Sequence, residues 1–184
     1  MDDELNVDVR RSGRRFEAEA VIELQADEHT VWETITDYPS LPRFMPGIRE
    51  CRVLEHRREG DGAERLLVEQ HGEFRFMLFA QTMKVQLEIQ QQARKLSVAR
   101  ALSFDLGVLR RRAIDVFEGR YELRPPAGRR RGAGTRLHYS AVIGLRLPPP
   151  PAVGHLAVRQ NLTDQLRAVA AEIGRRHSRR RPAS

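Results

Sequence analysis

The sequence predicts an α+β domain in which one curved antiparallel sheet packs against a long C-terminal helix. Most of the chain shows apolar residues at every second position, in segments separated by turn residues, which is typical of strands joined by hairpins. Residues 153–176 instead carry apolar residues at intervals of three and four, which predicts a helix. Because one antiparallel sheet buries one of its faces, we expect this helix to cover that face.

The chain is predicted to begin with a strand and two short helices. Residues 16–24 alternate between apolar and polar, as a half-buried strand does, and Asp27 is a favourable N-cap for a helix over residues 28–36. A short helical turn is expected over residues 40–47, ended by Pro46 and Gly47. The strands that follow are predicted at residues 48–56, 64–71, 74–91, 95–104, 112–124 and 135–147, with one of the turns at His71-Gly72-Glu73.

The final helix is predicted to be apolar along its back half only. Its stripe consists of Val158, Leu162, Leu166, Val169 and Ile173, whereas the next positions in line towards the N-terminus are His155 and Arg159. Polar residues where a core needs Leu or Ile predict that something other than protein packs under the front half. The alternative is that the helix frays after the prolines and leaves both side chains in water.

Length and charge predict one domain with basic ends. The 184 residues divide into a basic extension (1–15), the domain (16–176) and a basic, disordered tail (177–184). Among the 32 basic residues, only Lys84 and Lys95 are lysine, a bias that we attribute to a GC-rich coding sequence in preference to a function. The arginine clusters lack interleaved aromatic residues, so specific DNA binding is not expected. Transient contact of the basic loops with a membrane surface or a ribosome stays open.

Several kinds of site and location are not expected. No apolar run is long enough to span a bilayer and the first residues are charged, so we expect a cytoplasmic protein. Cys51 is the single cysteine, which fits a reducing compartment, and neither it nor Ser140 has the neighbours that activate a nucleophile. No metal-binding spacing, glycine-rich phosphate loop or dinucleotide fingerprint is present, so we expect no metal and no cofactor.

Two segments resemble a known superfamily. The run VWETITDYPSLPRFMPGI at 31–48 resembles the opening of START-like (SRPBCC) proteins, the superfamily that includes polyketide cyclases/dehydrases and coenzyme Q-binding proteins. The runs FEGRYEL at 117–123 and GTRLHY at 134–139 resemble its second half. The resemblance covers residues 16–176 and implies a helix-grip fold, in which the curved sheet wraps around the C-terminal helix and leaves a cavity for a hydrophobic ligand.

Arg100 is the first candidate site residue. It lies in an alternating row with Leu96, Val98, Leu102 and Phe104, which places it on an apolar face, about opposite Asp115 or Val116 of the next strand. A buried guanidinium needs a carboxylate or an anionic ligand. Either Arg100 and Asp115 form a pair without function, or Arg100 addresses the polar head of a ligand.

Tyrosines, aromatic residues and the front of the helix supply the other candidates. Tyr121 and Tyr139 lie on apolar faces, where each hydroxyl either donates to a ketone or quinone oxygen or bonds to backbone. His155 and Arg159 are included because they face the expected gap. Candidates for apolar walls, for which ordinary core packing is an equal alternative, are Trp32, Phe44, Phe76 and Phe104.

Three functions follow from these residues and the resemblance. The first is a carrier or binding protein for a lipid, quinone or polyketide-like molecule. The second is a polyketide cyclase, aromatase or dehydrase, in which Arg100 stabilises an oxyanion and Tyr121, Tyr139 and His155 donate protons. The third, which we consider weaker, is a ribosome-associated protein. The sequence leaves the ligand, the existence of turnover and the oligomeric state open.

Overall fold

A computed structural model describes residues 5–76, 79–105, 114–126, 134–146 and 151–180. The Arg-rich run at 129–131 and the last four residues of the expected tail lie outside these ranges. The described elements are β1 (Asn6–Ser12), β2 (Arg15–Leu24), α1 (Glu28–Ile35), a 3₁₀ helix (Tyr38–Arg43), β3 (Ile48–Arg58), β4 (Glu64–Phe76), β5 (Phe79–Gln92), β6 (Leu96–Asp105), β7 (Ile114–Arg124), β8 (Thr135–Leu145) and α2 (Pro151–Arg180).

The strands form one antiparallel sheet in the order β1-β2-β8-β7-β6-β5-β4-β3. From β3 to β8, consecutive strands pair as hairpins. β2, from the N-terminal part of the chain, pairs with β8 over all ten residues of β2. The helix α2 follows the sheet and packs on its inner face. The predicted α+β, helix-grip arrangement is therefore confirmed.

Strand β1 was missed by the sequence analysis, which assigned residues 1–15 to an extension. Val7 and Val9 are buried, whereas Asp8 and Arg10 point outward, so only two apolar positions carry the alternation. The hairpin to β2 turns at Gly13, whose φ of 59° is readily adopted by glycine. Two positions are too few to distinguish a strand from a charged tail by pattern alone.

The predicted turn at His71-Gly72-Glu73 is also wrong, because these residues continue β4 as far as Phe76. Gly72 has a different purpose here. A Cβ at Gly72 would lie 2.2 Å from the carbonyl oxygen of Gly47, so glycine is needed for the loop before β3 to approach this strand. The same loop is fastened by a hydrogen bond from the Glu73 amide to the Gly47 carbonyl, at 2.8 Å.

Helix α2 buries four of the five residues of the predicted stripe, and the fifth, Val158, is partly buried. Leu162, Leu166, Val169 and Ile173 are at most 5% exposed, and they pack on β1, β2 and α1. The helix continues to Arg180, so residues 177–180 of the expected tail are helical.

The end of α2 is fixed to the α1 region by ion pairs. Glu172 is buried between Arg175 and Arg176, with its carboxylate 2.7 Å from the Nε atom of Arg176. Arg176 reaches Asp37 at 2.9 Å, and Arg180 pairs with Glu33. Part of the basic charge that the sequence analysis assigned to a solvated tail therefore holds the fold together.

Candidate functional site

The inner face of the sheet carries a row of small residues that crosses four strands. Ala18 in β2 lies beside Ala141 in β8, which lies beside Gly119 in β7 and then Ala99 in β6. We call these four positions the small-residue band. Ala18 and Ala141 are buried, whereas Ala99 is only partly buried although it faces inward. Among the described residues, the inward side chains of β6 are therefore not fully covered, at the end of the band away from α2.

A row of polar side chains runs alongside this band. Tyr139, Tyr121, Ser97 and Gln91 are successive cross-strand neighbours on β8, β7, β6 and β5. The rings of Tyr121 and Tyr139 are 4.9 Å apart between centroids, at an angle of 47°. A Cβ at Gly119 would lie 3.7 Å from the Tyr139 hydroxyl, so this hydroxyl leans over the small-residue band.

Tyr38 of the 3₁₀ helix completes the polar row from the opposite side. Gln91 Nε2 donates to the Tyr38 hydroxyl at 2.8 Å, and Ser97 also hydrogen-bonds to it. Tyr38 lies close enough to Tyr121 to raise the pKa of the Tyr121 phenol. The chain has three tyrosines, and all of them meet at this place.

The three phenols are neutral at physiological pH. Burial raises the pKa of Tyr38 and of Tyr139, and burial together with the neighbouring phenols of Tyr139 and Tyr38 raises the pKa of Tyr121. Within the described residues, neither the Tyr121 nor the Tyr139 hydroxyl has a hydrogen-bond partner. Tyr139 is buried and Tyr121 is partly buried, so both phenols lie inside the protein next to the partly covered face of β6. A neutral phenol in that position donates a hydrogen bond to whatever enters.

A groove of about 980 Å³ reaches the polar row from outside. It runs between α1 and the inner side of β3 and β4, and its walls include Trp32, Val53 and Leu66. Tyr38 and Gln91 belong both to this groove and to the polar row, so they stand between the groove and the two unpartnered phenols.

The β5–β6 turn forms one side of the groove. Ala93 and Arg94 both have positive φ, 51° and 54°, which strains residues other than glycine by roughly 1 kcal/mol each. Both residues line the groove. Within the described residues, no group of three or more His, Cys, Asp or Glu side chains is arranged to hold a metal ion.

Some of the aromatic residues predicted as apolar walls lie near the groove or the polar row. Trp32 is buried and lines the groove. Phe44 contacts both halves of the core, and the Arg176 guanidinium lies 5.9 Å from its ring centre. Phe104 is partly buried and meets Phe117 edge to face, with 6.2 Å between ring centres. The side chain of Phe76 lies outside the described part of the structure.

Cys51 lies inside the core beneath the 3₁₀ helix. Its side chain packs in a cluster with Tyr38 and Leu41 of that helix. Burial raises the pKa of the Cys51 thiol to about 11, so the thiolate is scarce at neutral pH.

The predicted position of Arg100 is wrong. The structure places it on the outer face of β6, half exposed, where its Nε donates to Glu118 at 2.8 Å. Its cross-strand neighbour is Glu118 and not Asp115, which pairs with Arg146. A bulge is the reason: the β5–β6 pairing skips Leu102, so Ser97, Ala99 and Ala101 face inward with Phe104. Leu102 itself is 61% exposed.

The interpretation of the helix front is also corrected. His155 Nε2 donates to the carbonyl oxygen of Val9 at 2.8 Å, and Arg159 is exposed. Strand β1, which the sequence analysis missed, thus lies under the polar front of α2. The inward positions that are only partly buried lie on β6 instead, at Ala99, Ala101 and Phe104.

Sequence reasoning found Tyr121 and Tyr139 and missed Tyr38, Gln91, Ser97 and Gly119. Tyr38 falls just after the helix predicted at 28–36, Gln91 is the last residue of the strand predicted at 74–91, and Ser97 lies within the strand predicted at 95–104. One signal was available in the sequence: Ser97, Ala99 and Ala101 occupy alternate positions and all have small side chains. Such side chains cannot fill a core by themselves, so they indicate a face that is either closely approached by another element or left partly uncovered.

Comparisons with known proteins bear on the fold and the family. The family model described as polyketide cyclase / dehydrase and lipid transport matches residues 15–174. No curated protein matches the sequence. Within the described residues, no helix is long and apolar enough to cross a membrane.

Solved structures share this architecture at low identity. A START superfamily protein from Mycobacterium smegmatis aligns with a TM-score of 0.67 at 16% identity, over 86% of this chain and 97% of that one. The Zhui aromatase/cyclase from Streptomyces sp. R1128 gives 0.63 at 18%, over 88% and 95%. The di-domain ARO/CYC BexL of the BE-7585A biosynthetic pathway gives 0.67 at 12%, over 94% of this chain and 52% of that one. At these identities the likeness establishes the fold alone.

Proposed function

Since the chain belongs to the polyketide cyclase / dehydrase and lipid transport family, we propose that it binds a hydrophobic small molecule that carries ketone or quinone oxygens. The molecule lies on the small-residue band above β6 and β7, with an oxygen facing Tyr121 and Tyr139. The protein acts as a carrier or binding protein for this ligand.

The observation that carries the proposal is the pair of phenols that have no partner among the described residues and lie beside inward-facing apolar side chains that are only partly buried. Burying apolar ligand surface there contributes roughly 25 cal/mol per Å². A buried hydroxyl without a partner is unfavourable by about 1–3 kcal/mol, so a ligand oxygen that accepts its hydrogen bond is selected over a plain hydrocarbon. The raised pKa values keep both phenols protonated and able to donate.

Binding of 9,10-anthraquinone, with anthracene as the matched ligand that lacks oxygen, tests this proposal. Protein purified without detergent is titrated while the fluorescence of Trp32, the single tryptophan, is followed. We expect Tyr121→Phe and Tyr139→Phe each to weaken anthraquinone binding about fivefold, the equivalent of one hydrogen bond, and to leave anthracene binding unchanged. The proposal fails if neither ligand binds, or if both variants bind anthraquinone as the unaltered protein does.

The same two phenols favour a second candidate, a cyclase, aromatase or dehydrase that acts on a poly-β-ketone. A protonated phenol beside an enolisable carbonyl donates a hydrogen bond to the oxygen that gains negative charge while water removes the α-proton, and the cavity sets which carbons meet. Incubation with a linear poly-β-ketone thioester analogue, followed by aromatic absorbance, measures this. Turnover that Tyr139→Phe abolishes would favour the enzyme, whereas binding without conversion would favour the carrier.

A further inference from the structure

Strand β3 ends the sheet with an open edge. It is eleven residues long, and within the described part of the chain no strand pairs on its other side. From residue 49 to 58 only Cys51 is buried. Val53 and Leu54, in the middle, are 38% and 46% exposed, which is unusual for large apolar side chains at an edge that has to stay soluble.

A bulge at Leu54 sets which side chains share a face. The pairing with β4 passes from Val53↔Val68 directly to Glu55↔Leu67, so Leu54 is the extra residue. Val53 and His56 therefore face inward, opposite the buried Val68 and Leu66. On the outer face the order of side chains is Glu50, Arg52, Glu55 and Arg57.

This order of charges is complementary to itself. We propose that a second copy of the chain pairs with β3 along this edge, antiparallel and centred on Val53, to form a two-fold dimer with a continuous sheet. Arg52 then faces the partner's Glu55, and Glu50 faces the partner's Arg57, each pair occurring twice. Val53 meets the partner's Val53 on the inner side. Without the bulge, Arg52 and Glu55 would lie on opposite faces and the match would be lost.

The other edge of the sheet is closed to such pairing. β1 has only seven residues, Val7 and Val9 are buried, and α2 contacts the strand through the hydrogen bond from His155 to the Val9 carbonyl. β1 also carries an opposite pair on its outer face, Asp8 and Arg10, so the two edges differ in length and in the contact with α2, and not in having a self-complementary order of charge.

The charges on β3 are free to exchange partners. Glu50 and Arg52 are 3.1 Å apart within one strand, and Glu55 and Arg57 are 2.9 Å apart, with all four side chains more than half exposed. Exposed pairs contribute little to the stability of the monomer. Reversing one of these charges is therefore expected to change association and leave the fold intact.

Sedimentation equilibrium over a wide range of protein concentration tests the dimer. We expect a monomer–dimer equilibrium in the unaltered protein. Arg52→Glu and Glu55→Arg each create two like-charged contacts per dimer and should weaken association about tenfold. The double variant Arg52→Glu/Glu55→Arg should restore it. Arg10→Glu on β1, where Arg10 pairs with Asp8 at the same spacing, is the matched control and should have no effect.

Circular dichroism of each variant checks the fold. A protein that stays monomeric at every concentration overturns the proposal. So does a dimer that both single variants leave unchanged, or a double variant that associates as weakly as the single ones. None of these outcomes depends on ligand binding, so the dimer and the binding proposal stand or fall separately.

Discussion

The two halves of the inner face are built from the same sheet and differ in how they are filled. Under α2, Phe16, Leu137, Leu166 and Ile173 are at most 1% exposed. Above β6 and β7, inward positions such as Ala99 carry small side chains and are only partly buried. The two halves differ in side-chain volume and not in hydrophobicity. Both are apolar, but the described inward side chains above β6 and β7 are too small to bury one another.

The largest expected effect lies in the filled half. Leu166→Ala removes a side chain that is 1% exposed and should lower the free energy of unfolding by about 3 kcal/mol, because the surrounding side chains cannot collapse into the cavity. Urea denaturation measures this. Leu156→Ala on the same helix is the control, since Leu156 is 65% exposed and its loss should change stability by less than about 0.5 kcal/mol. Equal effects would mean that α2 does not pack as described.

The second effect concerns the charges that fix the end of α2 over the filled half. Hydrogen bonds from Arg175 and Arg176 lower the pKa of Glu172 to about 2, against the opposing effect of burial. Its folded pKa is below the unfolded value of about 4.3, so its contribution, about 2 kcal/mol, is present above about pH 5 and is lost as pH falls towards 2.

Unfolding free energies of the unaltered protein and of Glu172→Gln should therefore differ at pH 7 and converge in acid. Glu17→Gln on the exposed face of β2 serves as the control and should change the free energy of unfolding by less than about 0.5 kcal/mol. A difference for Glu172→Gln that is the same at pH 7 and pH 3 would contradict the assignment.

The third test compares the two ends of the small-residue band directly. Ala18→Leu adds atoms where the core is filled and should lower stability by about 1–3 kcal/mol. Ala99→Leu adds the same atoms above β6 and should lower stability by less than about 1 kcal/mol while abolishing anthraquinone binding. Thermal unfolding and the fluorescence titration report the two results. If both substitutions destabilise equally, the halves are equally full and the binding proposal loses its basis.

The smallest effect is expected outside the inner face. Arg100 and Glu118 are 51% and 42% exposed at the side chain, so Arg100→Ala should change stability by less than about 0.5 kcal/mol and leave ligand binding as it is. A large loss of binding would return Arg100 to the role that the sequence analysis gave it.

Most of the fold could be predicted from the sequence, because the periodicity that distinguishes helices from strands is set by residues close together in the chain. Helix α2, the N-cap of α1 and the later strands follow from residues a few positions apart. Strand β1 was missed because Val7 and Val9 are its entire apolar pattern. The turn at Gly72 was misassigned because the reason for the glycine, the approach of Gly47, comes from a residue distant in sequence.

The candidate site was predicted less completely, for a different reason. Tyr121 and Tyr139 could be found because both interrupt apolar rows. Which face of β6 points inward could not be predicted, because both of its alternating rows of side chains are largely uncharged. The bulge that shifts these rows depends on the pairing of β6 with β5, which the sequence pattern does not show. Likewise, Tyr38 reaches Gln91 across 53 positions, a distance at which no pattern acts.

The buried thiol of Cys51 gives this molecule its own kinetic reporter. The Cys51 thiolate attacks a disulfide reagent such as DTNB, releasing the coloured aryl thiolate, only when the 3₁₀ helix lifts away from β3. No competing thiol obscures the signal, since the sequence has one cysteine. The labelling rate at fixed pH therefore counts opening events next to the groove. A guest lodged against Tyr38 would slow that rate, so occupancy could be followed in time without any introduced label.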